Sequence, residues 1–419
     1  MPESVRMLED HSREELAVLV REYMMAGHMI DRAGMPHVMA ELGQDAFGPV
    51  AIEEWMGASP VYTKRMQRAL GFEGDAVETI FKGMQFDIGA PPQFLDFRFQ
   101  IDDHDHGAFW LDHCGALADV EPMGEDFVFT MCHDIEDPTF DATAIATNPR
   151  AQVRPVHRPP RIPADRSPVC QWTVVISDEH DRLPVPAEAE AMLSTRAAVV
   201  DLSVIDPAET GLSDYSGSLL SDIRLEDWSH SALVRIAQEI CLQGHLLSLS
   251  FLAALERRMD RDRAVGFGRR QLTGVAGLTA ERLRQALGVG RDLDGVAQVL
   301  ALHPAYLPRQ YVACEVELSD RLIVRFDTDC PGVADGGWPS MLDAEHPESM
   351  DAIVRAIDPR YRCEPVAQGT GVAFEVVMDD IAAPLSGEVE LARFSTGATF
   401  AFEDRGTPVA LRPRARRQG

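Results

Sequence analysis

The sequence predicts an α+β protein made of two tandem copies of one domain, each with N-terminal helices packed on a four-stranded antiparallel sheet. Three observations predict it. Displaced by 217 residues, the chain matches itself: residues 22–28 (EYMMAGH) fall on 239–245 (EICLQGH), and 94–103 fall on 311–320. Gly71 also meets Gly288, and Asp75 meets Asp292. Displaced by 216, residues 111–119 fall on 327–335, with Cys114 on Cys330 and Ala118-Asp119 on Ala334-Asp335. Later matches keep the same order: Asn148-Pro149-Arg150 with Asp358-Pro359-Arg360, Pro155-Val156 with Pro365-Val366, and 172–178 with 374–380. Self-similarity at a near-constant period marks a repeated structural unit.

Within each copy the elements read in order. Residues 13–45 carry apolar side chains at spacings of three and four, the period of a helix with one buried face, and Ser12 with Glu15 forms a capping box. Residues 61–85 continue as helix, broken at Gly71. Strands 94–101 and 107–114 then form a hairpin, repeated at 311–318 and 321–328. Alternation in Phe97-Arg98-Phe99-Gln100-Ile101 is that of a half-buried strand. A short helix follows at 138–147 and again at 347–357. Strands 152–157 and 170–177 close the first unit, and 361–366 and 372–379 the second.

The copies therefore occupy 1–180 and 228–385. Residues 181–227, rich in Pro, Asp and Ser, read as a linker with a short strand at 197–202. Residues 386–419 read as a C-terminal hairpin, 388–403 folding around Ser395-Thr396-Gly397, and a basic tail of Arg412, Arg414, Arg416 and Arg417.

Composition excludes several classes. The 419 residues carry a net charge of −28 and a pI near 4.8. A nucleic-acid binder needs a basic face to displace counterions, and an anionic membrane surface needs the same. The most apolar window, 232–255, contains Arg235, Gln238, Glu239, Gln243 and His245, so it reads as a core helix and not a membrane span. The start, MPESVRMLEDHSREE, lacks the basic and apolar stretches of a signal peptide. Seven scattered cysteines, an odd number, make no disulfide framework. A cytoplasmic protein with reduced thiols is expected. Gly266-Phe267-Gly268 and Leu287-Gly288-Val289-Gly290 lack the strand–turn–helix setting of a phosphate loop, so no nucleotide is expected. There is no GxSxG, HExxH or CxxC.

The chemistry-bearing residues concentrate in the first copy. Asp102-Asp103-His104-Asp105-His106 sits at the first hairpin turn. His104 and His106, with His113, form a ligand set for a divalent metal of the Zn or Fe class. Cys114 ends an apolar strand and reads either as a buried structural thiol or as a nucleophile activated by a histidine. Cys132-His133-Asp134 precedes the short helix, where a helix dipole would favour a thiolate. His157, on the third strand, is the spatial candidate for a base. Arg154, Arg158 and Arg161 suit a bidentate carboxylate clamp. Trp110 and Trp172 pack the sheet or wall a pocket. In the second copy Asp329 stands for His113 and Ala367 for His157. Residues that packing alone requires belong in both copies, so those confined to one are better candidates for function.

The run from Phe109 to Ile176 passes through Asp112-His113-Cys114-Gly115, Cys132-His133-Asp134, Pro155-Val156-His157-Arg158 and Cys170-Gln171-Trp172. It resembles the L-2-amino-thiazoline-4-carboxylic acid hydrolase-like family, which is distantly similar to vinyl-reductase-type and haem-NO-binding-type small-ligand domains. The resemblance covers roughly residues 13–178, with a degenerate echo over 228–380. It implies a cysteine-bearing pocket for a small carboxylate, with the family's cysteines falling on Cys114, Cys132 and Cys170. Where the family has an acidic Gly-Asp step before the last cysteine, this chain has Arg166-Ser167-Pro168-Val169.

Two functions follow as expectations. One is a hydrolase for a C–N or C–S bond of a small carboxylate, using Cys114, Cys132, His133, Asp134 and His157, with Arg158, Arg161, Trp110 and Trp172 holding substrate. The other is a non-catalytic sensor of a small ligand or metal. Either expects a small-molecule partner, no nucleic acid and no membrane, and leaves a homo-oligomer open.

Overall fold

The capping box at Ser12 forms. The Ser12 hydroxyl accepts from the Glu15 amide at 3.2 Å, and the Glu15 carboxylate accepts from the Ser12 amide at 2.8 Å. In the computed structural model, which describes residues 5–367 and 371–413, this cap opens α1 (Arg13–Leu42). The first part of the chain continues with α2 (Gln44–Ala69), α3 (Val77–Met84), β1 (Leu95–Ile101) and β2 (His106–Cys114). Then come α4 (Gly115–Val120), α5 (Glu125–Phe129), a π-helical turn (Thr130–Ile135), α6 (Glu136–Ile145), β3 (Ala151–His157) and β4 (Cys170–Ile176). After α7 (Ala187–Leu193) the second part holds α8 (His230–Glu256), α9 (Arg261–Leu287), α10 (Leu293–Ala301), β5 (Cys314–Leu318) and β6 (Leu322–Phe326). It ends with α11 (Pro331–Ala334), α12 (Glu348–Ile357), β7 (Tyr361–Pro365), β8 (Val372–Met378) and α13 (Gly387–Ala392).

The result is mixed helix and sheet, with two four-stranded antiparallel sheets. Their orders correspond: β1-β2-β4-β3 and β5-β6-β8-β7. In β4, Cys170, Trp172, Val174 and Ile176 are buried and alternate with half-buried neighbours, the period-two pattern of a sheet with one core face. The long helices α1, α2, α8 and α9 pack on one another, and α6 and α12 bridge from β3 to α2 and from β7 to α9. One apolar core runs through both parts, so α1 has neighbours on almost every side and is buried from Leu16 to Val38 with few breaks.

Several expected boundaries move. Residues 46–60 are helical within α2, which contains Pro49 and Pro60, and tertiary packing holds a helix there against proline's usual effect. Residues 61–85 are not one helix. Gly71, at φ +63°, turns the chain between α2 and α3, as its break in the pattern foretold. Residues 197–202 form no strand, and the segment before them is α7. Residues 388–403 are not a hairpin but α13 followed by a 3₁₀ turn at Thr396–Thr399. The Ser386 hydroxyl caps α13 by accepting from the Val389 amide, and Glu388 and Glu390 favour its N-terminal end. Arg412 is described, and the remaining basic-tail residues Arg414, Arg416 and Arg417 lie outside the described residues.

The two segments that follow the sheets cross over reciprocally. Arg65 pairs with Glu239 at 2.9 and 3.1 Å and donates to the carbonyls of Ala198 and Val200. Arg282 pairs with Glu22 at 2.7 and 3.0 Å and donates to the carbonyls of Gly397 and Phe400. Asp335 accepts from the amides of Arg196 and Ala197, and Asp119 accepts from the amide and hydroxyl of Thr396 and the hydroxyl of Ser395. Carbonyls that bond an arginine in this way are not free for a strand ladder, which is why neither segment pairs as β. No described helix is long and apolar enough to cross a membrane.

Candidate functional site

Halfway along the buried face of α1 stand two charged residues, Asp31 and Arg32. Buried charges persist only when paired. Arg32 Nη1 lies 2.6 and 2.8 Å from the Asp31 oxygens, and its Nε lies 3.5 Å from Asp119 Oδ2 at the end of α4. The Trp55 indole on α2 donates to Asp31 at 3.4 Å. These residues line a cavity of about 190 Å³ enclosed by α1, α2, β1, the π-helical turn and α6. Its walls are otherwise apolar, with Met35, Phe47, Phe97, Phe127, Met131 and Phe140 prominent. Phe394, which follows α13, completes the wall from the far end of the chain.

Three further polar groups face this space. His28 is buried and lines the cavity; neither ring nitrogen makes a well-formed hydrogen bond, and the Ile88 backbone is the polar group that acts on the ring. Burial holds its pKa well below the usual imidazole value, so the ring is neutral. Asp87 accepts from the Tyr62 hydroxyl and from the Gly89 amide, each at 2.7 Å and both on Oδ1. Burial pushes its carboxyl up to about 6 despite those bonds. Glu136 opens α6. It borders the cavity, and burial pushes its carboxyl up to about 8, with the Arg158 charge opposing and the Asp137 charge adding to the rise. Behind the wall Glu54 is fully buried with both oxygens unpartnered, and burial together with the nearby Asp31 charge raises its pKa strongly.

The place in the second part reached by the 217-residue displacement is different. His245 replaces His28, but its Nε2 lies 2.9 Å from the Leu307 carbonyl and its ring packs on Tyr311 and Trp338. Ser248, Leu249, Thr279 and Pro304 stand for Asp31, Arg32, Tyr62 and Asp87.

The residues singled out from sequence fall in other places. His104 bonds Asp105 and Asp75, and His106 bonds Asp103, all at the exposed hairpin turn. His113 is exposed at the opposite end of β2 from His106. Seven residues of strand span about 23 Å, so His104, His106 and His113 cannot meet on one ion. Among the described residues no group of three metal-binding side chains comes together.

Cys114, Cys132 and Cys170 are buried near one another and near Glu136, whose charge acts on all three. The helix-dipole argument for Cys132 fails, because it lies inside the π-helical turn and not at a helix start. Burial raises all three thiols, Cys114 to about 12, which disfavours thiolate at neutral pH. His133 stacks on Phe129, with Nε2 2.7 Å from the Pro159 carbonyl, and Asp134 is exposed. His157 ends β3 half-buried, with Nδ1 unpartnered.

The arginine clamp is already occupied. Arg154 pairs with Asp141, Arg158 with Asp137 and Arg161 with Glu121. Arg158 also lies over the Trp172 ring. Trp172 is fully buried and stacks with Phe109, while Trp110 is half-buried on the other sheet face. None of these sequence-predicted residues lines the cavity.

His28, Asp31, Arg32, Tyr62, Asp87 and Glu136 were missed. The usable signal was charge inside a buried helical period, confined to one of the two parts: Asp31-Arg32 against Ser248-Leu249. No family model, curated protein or solved structure matches the chain.

Proposed function

We propose that the first part of the chain is a small-ligand-binding module, and that the two parts arose by tandem duplication with only the first keeping a site. The observation that carries the binding reading is His28. It is a buried imidazole whose ring nitrogens make no well-formed hydrogen bond, on a cavity that apolar side chains share with Asp31, Arg32, Asp87, Asp119 and Glu136, and an unsatisfied buried polar group costs on the order of 1–3 kcal/mol. A ligand that bonds it recovers that cost. Matching sheet orders and the reciprocal Arg65–Glu239 and Arg282–Glu22 pairs support the duplication. Ligand-observed NMR with a fragment library tests the binding reading. Ala51 lines the cavity, so fragments that bind the native protein are expected to lose binding in Ala51→Leu. A library without such fragments sinks the proposal.

A second reading, hydrolysis of a C–N or C–S bond, rests on Glu136. A carboxyl still protonated near pH 7 can protonate a leaving nitrogen or sulfur. With the cysteines protonated, water would be the attacking group. Turnover that survives Glu136→Gln unchanged would remove this reading.

A further inference from the structure

We infer that the cavity takes a compact organic cation, an amidine or amine on one ring or a short apolar chain, and not the carboxylate that the family resemblance implies. The inference rests on the ligand-binding reading and adds the charge of the ligand.

The first argument is the balance of charge. Four carboxyls line the cavity, those of Asp31, Asp87, Asp119 and Glu136; with Glu136 protonated at neutral pH, three aspartates stand against one guanidinium, Arg32. Arg32 is already held between Asp31 and Asp119. A carboxylate ligand would enter a space with negative groups on its walls and no uncommitted cation, and a buried unpaired charge is costly. A cation meets the reverse. Asp87 takes both of its hydrogen bonds on Oδ1, and among the described residues none bonds the Glu136 carboxyl, so both can accept from a ligand N–H.

The second argument is independent of the carboxyls. His28 is buried and neutral on the same cavity wall, where neither ring nitrogen makes a well-formed hydrogen bond and the Ile88 backbone acts on the ring. A neutral imidazole has a free lone pair, and amidinium and ammonium groups are donors. The Phe47, Trp55, Phe97 and Phe127 rings give apolar walls, and aromatic faces attract cations. A cavity of about 150 Å³ accommodates benzene, so about 190 Å³ fits a single ring with a small substituent.

The proton balance is explicit. At neutral pH the Glu136 carboxyl holds a proton that a bound cation displaces to solvent, leaving a carboxylate beside the cation. Affinity for a permanent cation therefore rises as pH climbs toward about 8 and levels beyond it.

Three near-isosteric probes separate the charges: benzamidinium, benzamide and benzoate. Isothermal titration calorimetry on the full chain, in two buffers of different ionisation enthalpy, gives both affinity and proton release. Benzamidinium is expected to bind at least tenfold more tightly than benzamide and benzoate, with net proton release near pH 7. Glu136→Gln is expected to abolish the release and weaken benzamidinium about tenfold. Circular dichroism checks that this variant folds; if it does not, the probe series and the buffer pair on the native protein still decide. Benzoate or benzamide binding as tightly as benzamidinium overturns the inference and leaves the ligand-binding reading standing. None of the three binding while other fragments fill the cavity also overturns it alone. No probe and no fragment binding overturns both.

Discussion

The two parts of the chain place a histidine at the same point of a buried helix and surround it differently. His28 looks into a cavity, whereas His245 is bonded to Leu307 and packed by Tyr311 and Trp338. Neighbouring small residues account for the closer packing of the second part. A Cβ added at Gly277 on α9 would stand 3.2 Å from Ala352 Cβ on α12 and 2.5 Å from Val389 Cγ2 on α13, so only glycine permits that approach. The first part has Pro60 at this position, and Ala51 where the second part has Gly268. Similar sheets and similar helices thus support a filled core in one place and a lined space in the other. What decides is a handful of side chains, Trp338 on one side and Asp31, Arg32 and Asp87 on the other.

The largest expected effect breaks the filled side. Trp338 is buried, so Trp338→Ala is expected to destabilise by about 3–5 kcal/mol, through lost burial and the hole left behind. Trp55 is half-buried and borders space that already exists, so Trp55→Ala is expected to cost about 1–2 kcal/mol. Urea denaturation measures both. Equal losses would mean that the cavity wall is packed as tightly as the core.

Removing the crossing arginines comes next. Arg282→Ala strips Glu22 of the partner of both its oxygens and should cost about 3 kcal/mol. Arg65→Ala should cost about 1 kcal/mol less, because Glu239 keeps a 3.0 Å bond from Arg235. If Arg65→Ala proves the more damaging, the two crossings do not carry comparable loads.

The architecture was more legible than the site. The strands were legible from short alternating runs such as Phe97-Arg98-Phe99, whose period of two is local; their order in the sheet was not. The arms were misread because their backbone partners, Arg65 and Arg282, lie more than a hundred residues away, and no local pattern encodes such a bond. The site was misread for a related reason. Polar residues grouped in sequence, such as 102–106, drew attention, yet they pair with one another at the surface. The cavity collects residues from α1, α2, the loop after α3, α4 and α6, segments far apart in the chain. The self-match in α1 ends at His28, three residues before Asp31 and Arg32, where the two parts diverge to Ser248 and Leu249.

The pH dependence sharpens the comparison. Glu136 has its folded pKa raised from 4.5 to about 8. The folded state therefore binds the proton more firmly, and this contribution to stability is whole below about pH 4.5 and fades as pH rises through about 8. Across that window the unliganded protein is expected to lose up to about 5 kcal/mol from this group. Glu136→Gln, which cannot ionise, should flatten that part of the profile. A profile of unchanged slope in the variant would show that Glu136 is not the titrating group.

The smallest effect separates the two crossings by function. Ser395 donates to Asp119 at 2.6 Å, and Asp119 in turn holds Arg32 on the cavity wall. Thr195 has a related place in the other arm, accepting from the Ala198 amide near the residues that cap Asp335. Each alanine substitution removes hydrogen bonds worth about 1 kcal/mol of stability. Only Ser395→Ala disturbs a residue that lines the cavity, so it alone should weaken benzamidinium, about two- to fivefold, while Thr195→Ala leaves affinity unchanged. Equal weakening by both would place the effect in general loosening of the fold; weakening confined to Ser395→Ala ties the C-terminal arm to the site that it helps to close.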